Sequence, residues 1–326
     1  MNTSIKPRVI ISKCIEFNHC RYNGQIISSN QIKELKPFIE FLPVCPEVEI
    51  GLGIPREPIR IVYQNKQQHL LQPKTNEDIT NRMNDFTSSF LKKQKNIDGF
   101  ILKSRSPSCG LKDVKIYSGE KTFSPIEKNA GLFGRGVLEK FPTLAIEDEG
   151  RLRNPTIREH FLRRIYTFAR FRAVKDKKSL SALIQFHTKH KFLLMAYNQS
   201  KLKDLGQFVA TAKQDPIKNV LSKYENILHQ ALIKSPHCSS NINILQHSFG
   251  YVSNGLSSEE KNFFLEELEK YRQAKISLAS LISLLKSWII RFNQPYLKDQ
   301  VFFSPYPDQL VHADEIDSCE SRNYWQ

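Results

Sequence analysis

The sequence lacks several features that define common classes of protein. Its 326 residues contain no apolar run near the roughly 20 residues that span a bilayer. There is no low-complexity tract, no solenoid-type repeat, no G-x-S-x-G nucleophile elbow and no HExxH zinc motif. Residues 1–8 hold no apolar segment of secretory length. We therefore expect a globular, cytoplasmic protein that has no membrane as a partner.

Acidic side chains are scarce relative to basic ones. The chain has 33 Asp and Glu against 48 Lys and Arg, which gives a formal net charge of +15. Such an excess favours contact with phosphates or other anionic partners, although a solvated basic surface explains it equally well. The net charge is therefore compatible with a nucleic-acid partner but does not require one.

The six cysteines are not expected to form a disulfide framework in a reducing compartment. Those embedded in motifs are instead candidates for metal binding or catalysis. Three cysteines each follow an apolar run with the character of a buried strand. These are Cys14 after Val9–Ile11, Cys45 after Phe41–Val44 and Cys109 after Gly99–Leu102.

Strand and helix signals alternate through the first half of the chain. Further strands are predicted at residues 59–63, 69–71 and 143–146, and helices at residues 30–39, 75–94 and 130–140. Alternation of this kind is typical of an α/β layer with a largely parallel sheet. We assign residues 1–152 to such an α/β domain.

The pattern changes near residue 152. Asn154-Pro155 is a strong helix start, with Asn as the cap and Pro at the first helical position. From there to about residue 293 only helical periodicity is present, with helices predicted at residues 155–172, 179–197, 201–213, 217–233, 241–252, 257–271 and 277–292. Ser257-Ser258-Glu259-Glu260 has the sequence of a capping box. We assign residues 153–326 to an all-α domain.

The three strand-end cysteines can be neighbours although they are far apart in the chain. The carboxyl ends of parallel strands meet at one edge of a sheet, where ligands commonly bind. Three thiolates repel one another unless zinc or an iron–sulfur cluster compensates their charge. Three ligands would leave one metal position open for substrate. Cys20 is either a fourth ligand or a buried small side chain, and four unrelated core cysteines remain an alternative.

Polar residues beside the cysteines are candidates for acid–base chemistry. Pro46 stiffens the turn after Cys45, and Glu47 could point its carboxylate into the same pocket. A carboxylate at such a position is more often solvated or salt-bridged. Ser106 and Ser108 flank a proline next to Cys109, where hydroxyl groups could bind an anion or orient water.

Three ordered motifs make residues 8 to about 146 resemble the thiouracil desulfidase family. They are Ser12-Lys13-Cys14 with Arg21-Tyr22-Asn23-Gly24, Cys45-Pro46-Glu47-Val48 with Gly51-Leu52 and Pro55-Arg56, and Lys103-Ser104-Arg105-Ser106-Pro107-Ser108-Cys109-Gly110. The family removes sulfur from a thiocarbonyl nucleobase, giving uracil and hydrogen sulfide from thiouracil. The loop after its first cysteine usually carries a glycine, whereas here the loop is Ile15-Glu16-Phe17-Asn18-His19-Cys20.

The resemblance implies a cofactor and roles for individual residues. It implies a 4Fe–4S cluster held by Cys14, Cys45 and Cys109, with one iron not ligated by protein. Glu47 would be the acid–base residue, and Ser106 would be the polar group at the substrate, with Ser108 as the second choice. The substrate would be a small thiolated nucleobase or nucleoside, and no net redox step would be needed.

The second half, from about residue 155 to 310, resembles the YbgA family, from which no activity can be transferred. The resemblance rests on Phe186-His187-Thr188-Lys189-His190-Lys191, Asn243-Ile244-Leu245-Gln246-His247 with Phe249-Gly250-Tyr251, and Phe302-Phe303-Ser304-Pro305-Tyr306-Pro307. His187 and His190 share a helical face, a spacing that permits metal binding, but the sequence offers no third ligand beside them.

The first helix of the second half combines basic and aromatic residues. Arginines and lysines between Arg158 and Lys178 alternate with Phe161, Tyr166, Phe168 and Phe171. This composition suits phosphate contact and base stacking, so the domain could bind tRNA or another nucleic acid. An amphipathic helix with its aromatic residues in the core is the alternative.

Two functions from different classes follow from the sequence. The first is an iron–sulfur-dependent desulfidase that acts on a thiolated pyrimidine. The second is a nucleic-acid-binding protein whose cluster or zinc domain recognises thiolated or damaged bases. A structural zinc site of three cysteines is a further alternative for the metal centre itself.

Overall fold

The computed structural model describes residues 5–64, 66–119 and 124–311. The chain divides into two compact units, of which the first is Lys6–Asn154 and the second begins at Pro155. Of the region that we assign to the all-α domain, residues 312–326 lie outside the described residues.

A four-stranded, fully parallel sheet forms the centre of the first unit. Its strands, in the spatial order β2-β1-β6-β9, are β1 (Arg8–Ser12), β2 (Glu40–Val44), β6 (Gly99–Leu102) and β9 (Ala145–Asp148). Val9 pairs with both Phe41 and Gly99, and Gly99 pairs with Ala145. Because the strands are parallel and in this register, their carboxyl ends lie along one edge.

A second, mixed sheet lies in the same unit, with the order β5-β4-β3-β7-β8. Its strands are β3 (Arg60–Gln64), β4 (Gln67–Gln72), β5 (Glu77–Asp78), β7 (Val114–Tyr117) and β8 (Pro125–Asn129). Only the pairing of β3 with β7 is parallel. Strands β3 and β4 are predicted from the sequence, whereas β7 and β8 are not. All five residues of β8 are exposed, so this strand has no apolar alternation to reveal it.

The helices of the first unit are α1 (Asn30–Leu35), α2 (Pro46–Glu49), α3 (Thr80–Lys93) and α4 (Leu132–Lys140). Helix α1 is shorter than predicted, and α3 begins at Thr80 because the residues before it pair with β4. Buried side chains of both sheets and of α3 and α4 join in one core, in which Ile10, Met83, Phe100 and Phe133 are fully buried.

The second unit is helical throughout its described residues. Its α-helices are α5 (Pro155–Lys177), α6 (Leu180–Tyr197), α7 (Gln199–Thr211), α8 (Ile217–Ala231), α9 (Cys238–Val252), α10 (Ser258–Arg272), α11 (Leu278–Arg291) and α12 (Pro295–Lys298). The predicted capping box is confirmed, since Ser257 and Glu260 satisfy each other's backbone N–H groups. In the described part of the chain, none of the helices combines the length and apolar character that crossing a membrane requires.

The predicted fold class is therefore confirmed. The first unit has a largely parallel central sheet covered by helices, and the second is helical from Pro155 onward.

Candidate functional site

One cavity of about 420 Å³ opens at the carboxyl edge of the parallel sheet. Cys14 lies two residues after β1, Cys45 directly after β2, and Cys109 in the loop after β6. All three line this cavity, together with Cys20, Glu47, Arg56, Lys103, Ser106 and Ser108. The structure thus brings every residue that we single out as a site candidate in the first unit to one place.

The four thiols are close enough to interact. All of them are free, and Cys20, Cys45 and Cys109 are buried. The Cys20 thiol lies near the thiols of Cys14 and Cys45, and its pKa responds to both. The Cys45 sulfur lies 3.8 Å from the backbone oxygen of Cys20. Cys20 is therefore a neighbour of two of the three cysteines that the family resemblance assigns to a cluster.

The surroundings of these thiols disfavour thiolates in the protein alone. The neighbouring Cys14 side chain raises the pKa of Cys20 to about 11. The neighbouring Cys20 side chain, and then burial, raises the pKa of Cys45. Burial raises the pKa of Cys109 to about 12. A positively charged, thiophilic centre in the cavity would reverse this preference, because ligating thiols are deprotonated.

The donor set suits an iron–sulfur cluster in its chemistry. It consists of soft cysteine sulfurs, which suit iron–sulfur clusters and zinc alike. Among the residues that the structure describes, no group of three or more His, Cys, Asp or Glu side chains is arranged to hold a metal ion.

Glu47 is fixed from both sides of its carboxylate. Its Oε2 accepts hydrogen bonds from Arg56 Nε at 2.8 Å and Arg56 Nη2 at 2.5 Å. Its Oε1 accepts a hydrogen bond of 2.6 Å from Ser108 Oγ. The Arg56 side chain is only 3% exposed, so this ion pair is shielded from solvent. The carboxylate is held in one orientation at the edge of the cavity.

Ser106 and Ser108 continue this arrangement as a hydrogen-bonded chain. Ser106 Oγ accepts hydrogen bonds from the backbone N–H groups of Cys109, at 3.1 Å, and of Ser108, at 3.3 Å. It lies 3.0 Å from Ser108 Oγ. Since the Ser108 hydroxyl donates to Glu47, the Ser106 hydroxyl donates to Ser108. The chain leads from Ser106 through Ser108 to Glu47.

The loop that carries these serines is anchored to the start of α4. The N–H groups of Gly131, Leu132 and Gly134 donate to the carbonyl oxygens of Gly110, Pro107 and Ser108, at 2.8, 3.1 and 2.9 Å. A Cβ on Gly134 would lie 2.3 Å from the Gly110 carbonyl oxygen. Glycine at 134 is therefore required by the close approach of loop and helix, which sets the position of Cys109.

Lys103 also lines the cavity, and a carboxylate neutralises its positive charge. Its ammonium group is paired with Glu149 and donates to Ser104 Oγ at 2.9 Å. Glu149 additionally accepts from the Ser104 N–H at 2.8 Å and follows directly after β9. Neither Glu149 nor the pairing of Arg56 with Glu47 was predictable from the residue pattern. The only sequence signal for Arg56 is its place in the Pro55-Arg56 motif.

The loop between Cys14 and Cys20 contains a left-handed backbone conformation, which glycine usually adopts, at a residue that is not glycine. Glu16 has φ of 64°, in the left-handed region that favours glycine. Its Oε1 accepts a hydrogen bond of 2.6 Å from the Ser29 N–H, and its carbonyl oxygen accepts one of 2.8 Å from Lys36. These contacts hold Glu16 in a conformation that its side chain would otherwise disfavour.

The basic and aromatic residues of α5 do not form a stacking surface. Its aromatic residues Phe161, Tyr166, Phe168 and Phe171 are all buried, as an amphipathic core helix predicts. Arg163 is also buried and is paired with Glu159, while Arg170 donates to the Pro305 carbonyl oxygen at 2.7 Å. The alternative that places these aromatic residues in the core therefore accounts for them, although the helix is buried on every side over residues 160–169 and not on one face alone.

The two histidines of α6 have structural partners. His190 is buried, its Nδ1 lies 2.8 Å from the Phe186 carbonyl oxygen, and its ring stacks on Phe186. His187 Nδ1 lies 3.0 Å from the Tyr224 hydroxyl. The Nδ1 atoms of both rings therefore have partners within the protein, whereas the buried Nε2 of His190 has none among the described residues.

Comparison with known proteins identifies the two halves separately. The family described as 2-thiouracil desulfurase matches residues 9–149. Across 123 residues, the chain is 32% identical to the uncharacterized protein YbbK of Bacillus subtilis (strain 168). The aligned region covers 36% of this chain and 79% of YbbK. The chain belongs to the 2-thiouracil desulfurase family. Residues 191–307 match a family described as a protein of unknown function, DUF1722.

Two further similarities are found. The chain is 23% identical over 129 residues to the uncharacterized protein YbgA of Escherichia coli (strain K12), covering 39% of this chain and 75% of YbgA. A solved structure titled as the [4Fe-4S]-dependent thiouracil desulfidase TudS shares 27% sequence identity. It covers 45% of this chain and 94% of its own, with a TM-score of 0.36. The family matches and the similarities to YbbK and YbgA confirm both resemblances inferred from the motifs.

Proposed function

We propose that this protein is a desulfidase that hydrolyses the thiocarbonyl group of a thiolated pyrimidine such as 2-thiouracil. Water supplies the oxygen of the new carbonyl group and both protons of the hydrogen sulfide, so the products are uracil and hydrogen sulfide. The reaction balances without an oxidant or a reductant. Membership of the 2-thiouracil desulfurase family supports the substrate class.

Cys14, Cys45 and Cys109 are proposed to hold a [4Fe–4S] cluster in which one iron is not ligated by protein. When bound, such a cluster supplies a thiophilic Lewis acid for the thiocarbonyl sulfur. The protein supplies the sulfur donors, which bind iron as thiolates.

Glu47 is proposed as the general base. Its carboxylate accepts a proton from the water that attacks the ring carbon. Arg56 orients it through two N–H groups and stabilises its negative charge before the reaction. A base that is fixed within hydrogen-bond reach of the cavity can transfer a proton without rearranging first.

Ser106 and Ser108 are proposed to return that proton to the substrate. When the Ser106 hydroxyl gives its proton to a ring nitrogen or to the departing sulfur, Ser108 Oγ passes its proton to Ser106 Oγ. Glu47 then gives the proton that it took from water to Ser108 Oγ. Each group ends in its original protonation state, so the chain can repeat the cycle.

The observation that carries this proposal is the 2.6 Å hydrogen bond between Ser108 and Glu47 beside four cysteine sulfurs in one cavity. An acid–base chain and a soft-metal donor set are the two elements that the hydrolysis of a thiocarbonyl requires. The cavity, at about 420 Å³, lies in the range of small-molecule sites.

The roles are tested by sulfide release from 2-thiouracil after anaerobic reconstitution. Glu47→Gln should lower kcat by about 10²–10⁴-fold, as expected for the loss of a general base. Glu49→Gln is the matched control, because Glu49 lies on the same short helix but is exposed. Iron content and visible absorption should be equal in both variants. A Glu47→Gln variant that keeps the wild-type rate would remove Glu47 from the mechanism.

A further inference from the structure

Tyr22 is the one aromatic side chain among the described residues that line the cavity. The proposed mechanism gives it no role. It is 41% exposed, and single exposed apolar or aromatic residues are common on protein surfaces. A tyrosine that lines a cavity proposed to hold a flat pyrimidine is a more specific case, because every nucleobase has a face on which an aromatic ring can stack.

The backbone around Tyr22 is a fixed turn that does not itself require an aromatic residue. The Gly24 N–H donates to the Arg21 carbonyl oxygen at 2.9 Å, and Gly24 has φ of 70°. The Asn23 Oδ1 accepts a hydrogen bond of 3.2 Å from the Gln25 N–H. The second position of such a turn, which Tyr22 occupies, accepts most residue types. The turn therefore explains where Tyr22 lies but not why it is aromatic.

Tyr22 is tied to the residue that orients the proposed general base. Its carbonyl oxygen accepts a hydrogen bond of 2.8 Å from the Arg56 N–H, and the Arg56 guanidinium binds the Glu47 carboxylate. The Arg21 guanidinium carbon lies 5.5 Å from the centroid of the Tyr22 ring, a cation–π contact that restrains the ring. The ring is thus held at a set position relative to Glu47.

We propose that the Tyr22 ring stacks on the pyrimidine ring of the substrate and selects planar, conjugated bases. This inference rests on the proposed function and specifies how the same site recognises its substrate. The chain of Glu47, Ser108 and Ser106 acts at the thiocarbonyl group and its neighbouring nitrogen, which a non-aromatic cyclic thiourea also has. Stacking adds the contact that distinguishes the two, because a saturated ring is puckered and has no π face.

The test compares 2-thiouracil with 5,6-dihydro-2-thiouracil, which keeps the thiocarbonyl group and both ring nitrogens but has a puckered ring. KM and kcat for sulfide release from 2-thiouracil should be measured with anaerobically reconstituted wild type, Tyr22→Leu and Tyr22→Phe. The dihydro compound should be added as a competitor, so that its inhibition constant is obtained whether or not it is turned over. Tyr63→Leu is the matched control, because Tyr63 is 42% exposed on β3 and does not line the cavity.

Tyr22→Leu should raise the KM for 2-thiouracil by about 5–150-fold, the range expected for the loss of one stacked base. Its kcat and iron content should stay near those of wild type, because stacking acts on the bound substrate and the transition state alike. Tyr22→Phe and Tyr63→Leu should keep the wild-type KM. The inhibition constant of the dihydro compound should be the same in Tyr22→Leu and in wild type.

A Tyr22→Leu variant with the wild-type KM would overturn the inference, as would a Tyr22→Phe variant whose KM rises as much. The wild-type protein decides the point even if a variant does not fold. An inhibition constant of the dihydro compound equal to the KM for 2-thiouracil would exclude a stacking contact. Wild-type protein that releases no sulfide from 2-thiouracil would overturn the proposed function itself.

Discussion

Arg56 contacts three parts of the site at once. Its guanidinium donates to the Glu47 carboxylate and to the carbonyl oxygens of Cys20 and Gly53, the latter two at 3.0 Å each. A planar group with five N–H donors can make these contacts simultaneously, and an ammonium group cannot. Arg56 is therefore a positioning residue that acts through Glu47.

Replacing Arg56 by Lys should separate the positioning of the Glu47 carboxylate from the effect of a positive charge beside it. The variant keeps a cation near Glu47 but loses the bidentate pairing and one or both carbonyl contacts. We expect kcat for sulfide release to fall by roughly 10²-fold, with little change in KM, because a small displacement of the base is costly. Arg82→Lys is the control, since Arg82 pairs with Glu77 on the exposed surface. Equal kcat values for the two variants would contradict this role.

At the scale of single residues, the sequence predicts the sulfur donors better than the acid–base chain. Apolar runs ending at Cys14 and Cys45 mark strand ends, and strand ends of a parallel sheet share an edge. The partners of Glu47 depend on the path of loops, which no periodicity encodes. Ser108 rather than Ser106 reaches Glu47 in a loop where Arg105 adopts φ of 59°. A left-handed residue turns the following side chains in a way that spacing alone does not indicate.

At the scale of elements, the helices were easier to predict than the second sheet. The second unit has caps such as Ser257 and long stretches of 3.6-residue periodicity, and each predicted helix is present with shifted ends. Strand β7 is only four residues long and lies between β3 and β8, whereas β8 is an edge strand without a buried residue. An edge strand of this kind is stabilised by pairing with its neighbour, which the local sequence does not reveal.

Buried histidines make the helices of the second unit sensitive to acid. Burial lowers the pKa of His190 and of His229 to about 3 each. An unfolded chain protonates histidine below about pH 6.5, whereas the folded unit does not until about pH 3. The free energy of unfolding is therefore not reduced by these histidines above about pH 6.5. Below that pH it falls by about 1.4 kcal/mol per pH unit for each histidine.

Urea unfolding at pH 7 and pH 5 measures this dependence. His190→Gln should unfold more easily at pH 7 but should lose less stability than wild type between the two pH values. His237→Gln is the control, because His237 is exposed. An unchanged pH dependence in His190→Gln would show that His190 is not held neutral in the folded unit.

At the scale of the whole molecule, the proposed cluster belongs to the first unit alone. Its candidate ligands all lie within Lys6–Asn154, and the second unit begins at Pro155. Both tryptophans, Trp288 and Trp325, come after that boundary. Tryptophan fluorescence therefore reports on the second region of the chain only, while the visible absorption of a cluster would report on the first.

Removing the cluster should lower the free energy of unfolding of the first unit. The loss is roughly 3 kcal/mol for a ligand whose free concentration is about 100 times its Kd. Chelated wild-type protein should show an earlier loss of far-ultraviolet circular dichroism in urea, with the tryptophan transition unmoved. Cys109→Ala should behave like the chelated protein because it lacks a ligand. A tryptophan transition that shifts as much as the circular dichroism would contradict a cluster confined to the first unit.

The net charge of +15 is a property of the whole chain that the site does not use. Basic residues of α5 that suggested a nucleic-acid surface are partly buried, and the aromatic residues between them lie in the core. The aromatic side chains of α5 are therefore not available to stack on nucleic-acid bases. The function that the geometry supports best is the hydrolysis of a small thiolated base.

The central claim is most directly tested by isotope incorporation during turnover. Anaerobically reconstituted wild-type protein should be given 2-thiouracil in ¹⁸O-labelled water with no reductant. The uracil formed should carry one labelled oxygen at the former thiocarbonyl carbon, and one sulfide should be released per uracil. Cluster-loaded protein that forms no uracil, or that forms it only when a reductant is added, would contradict hydrolytic desulfidation.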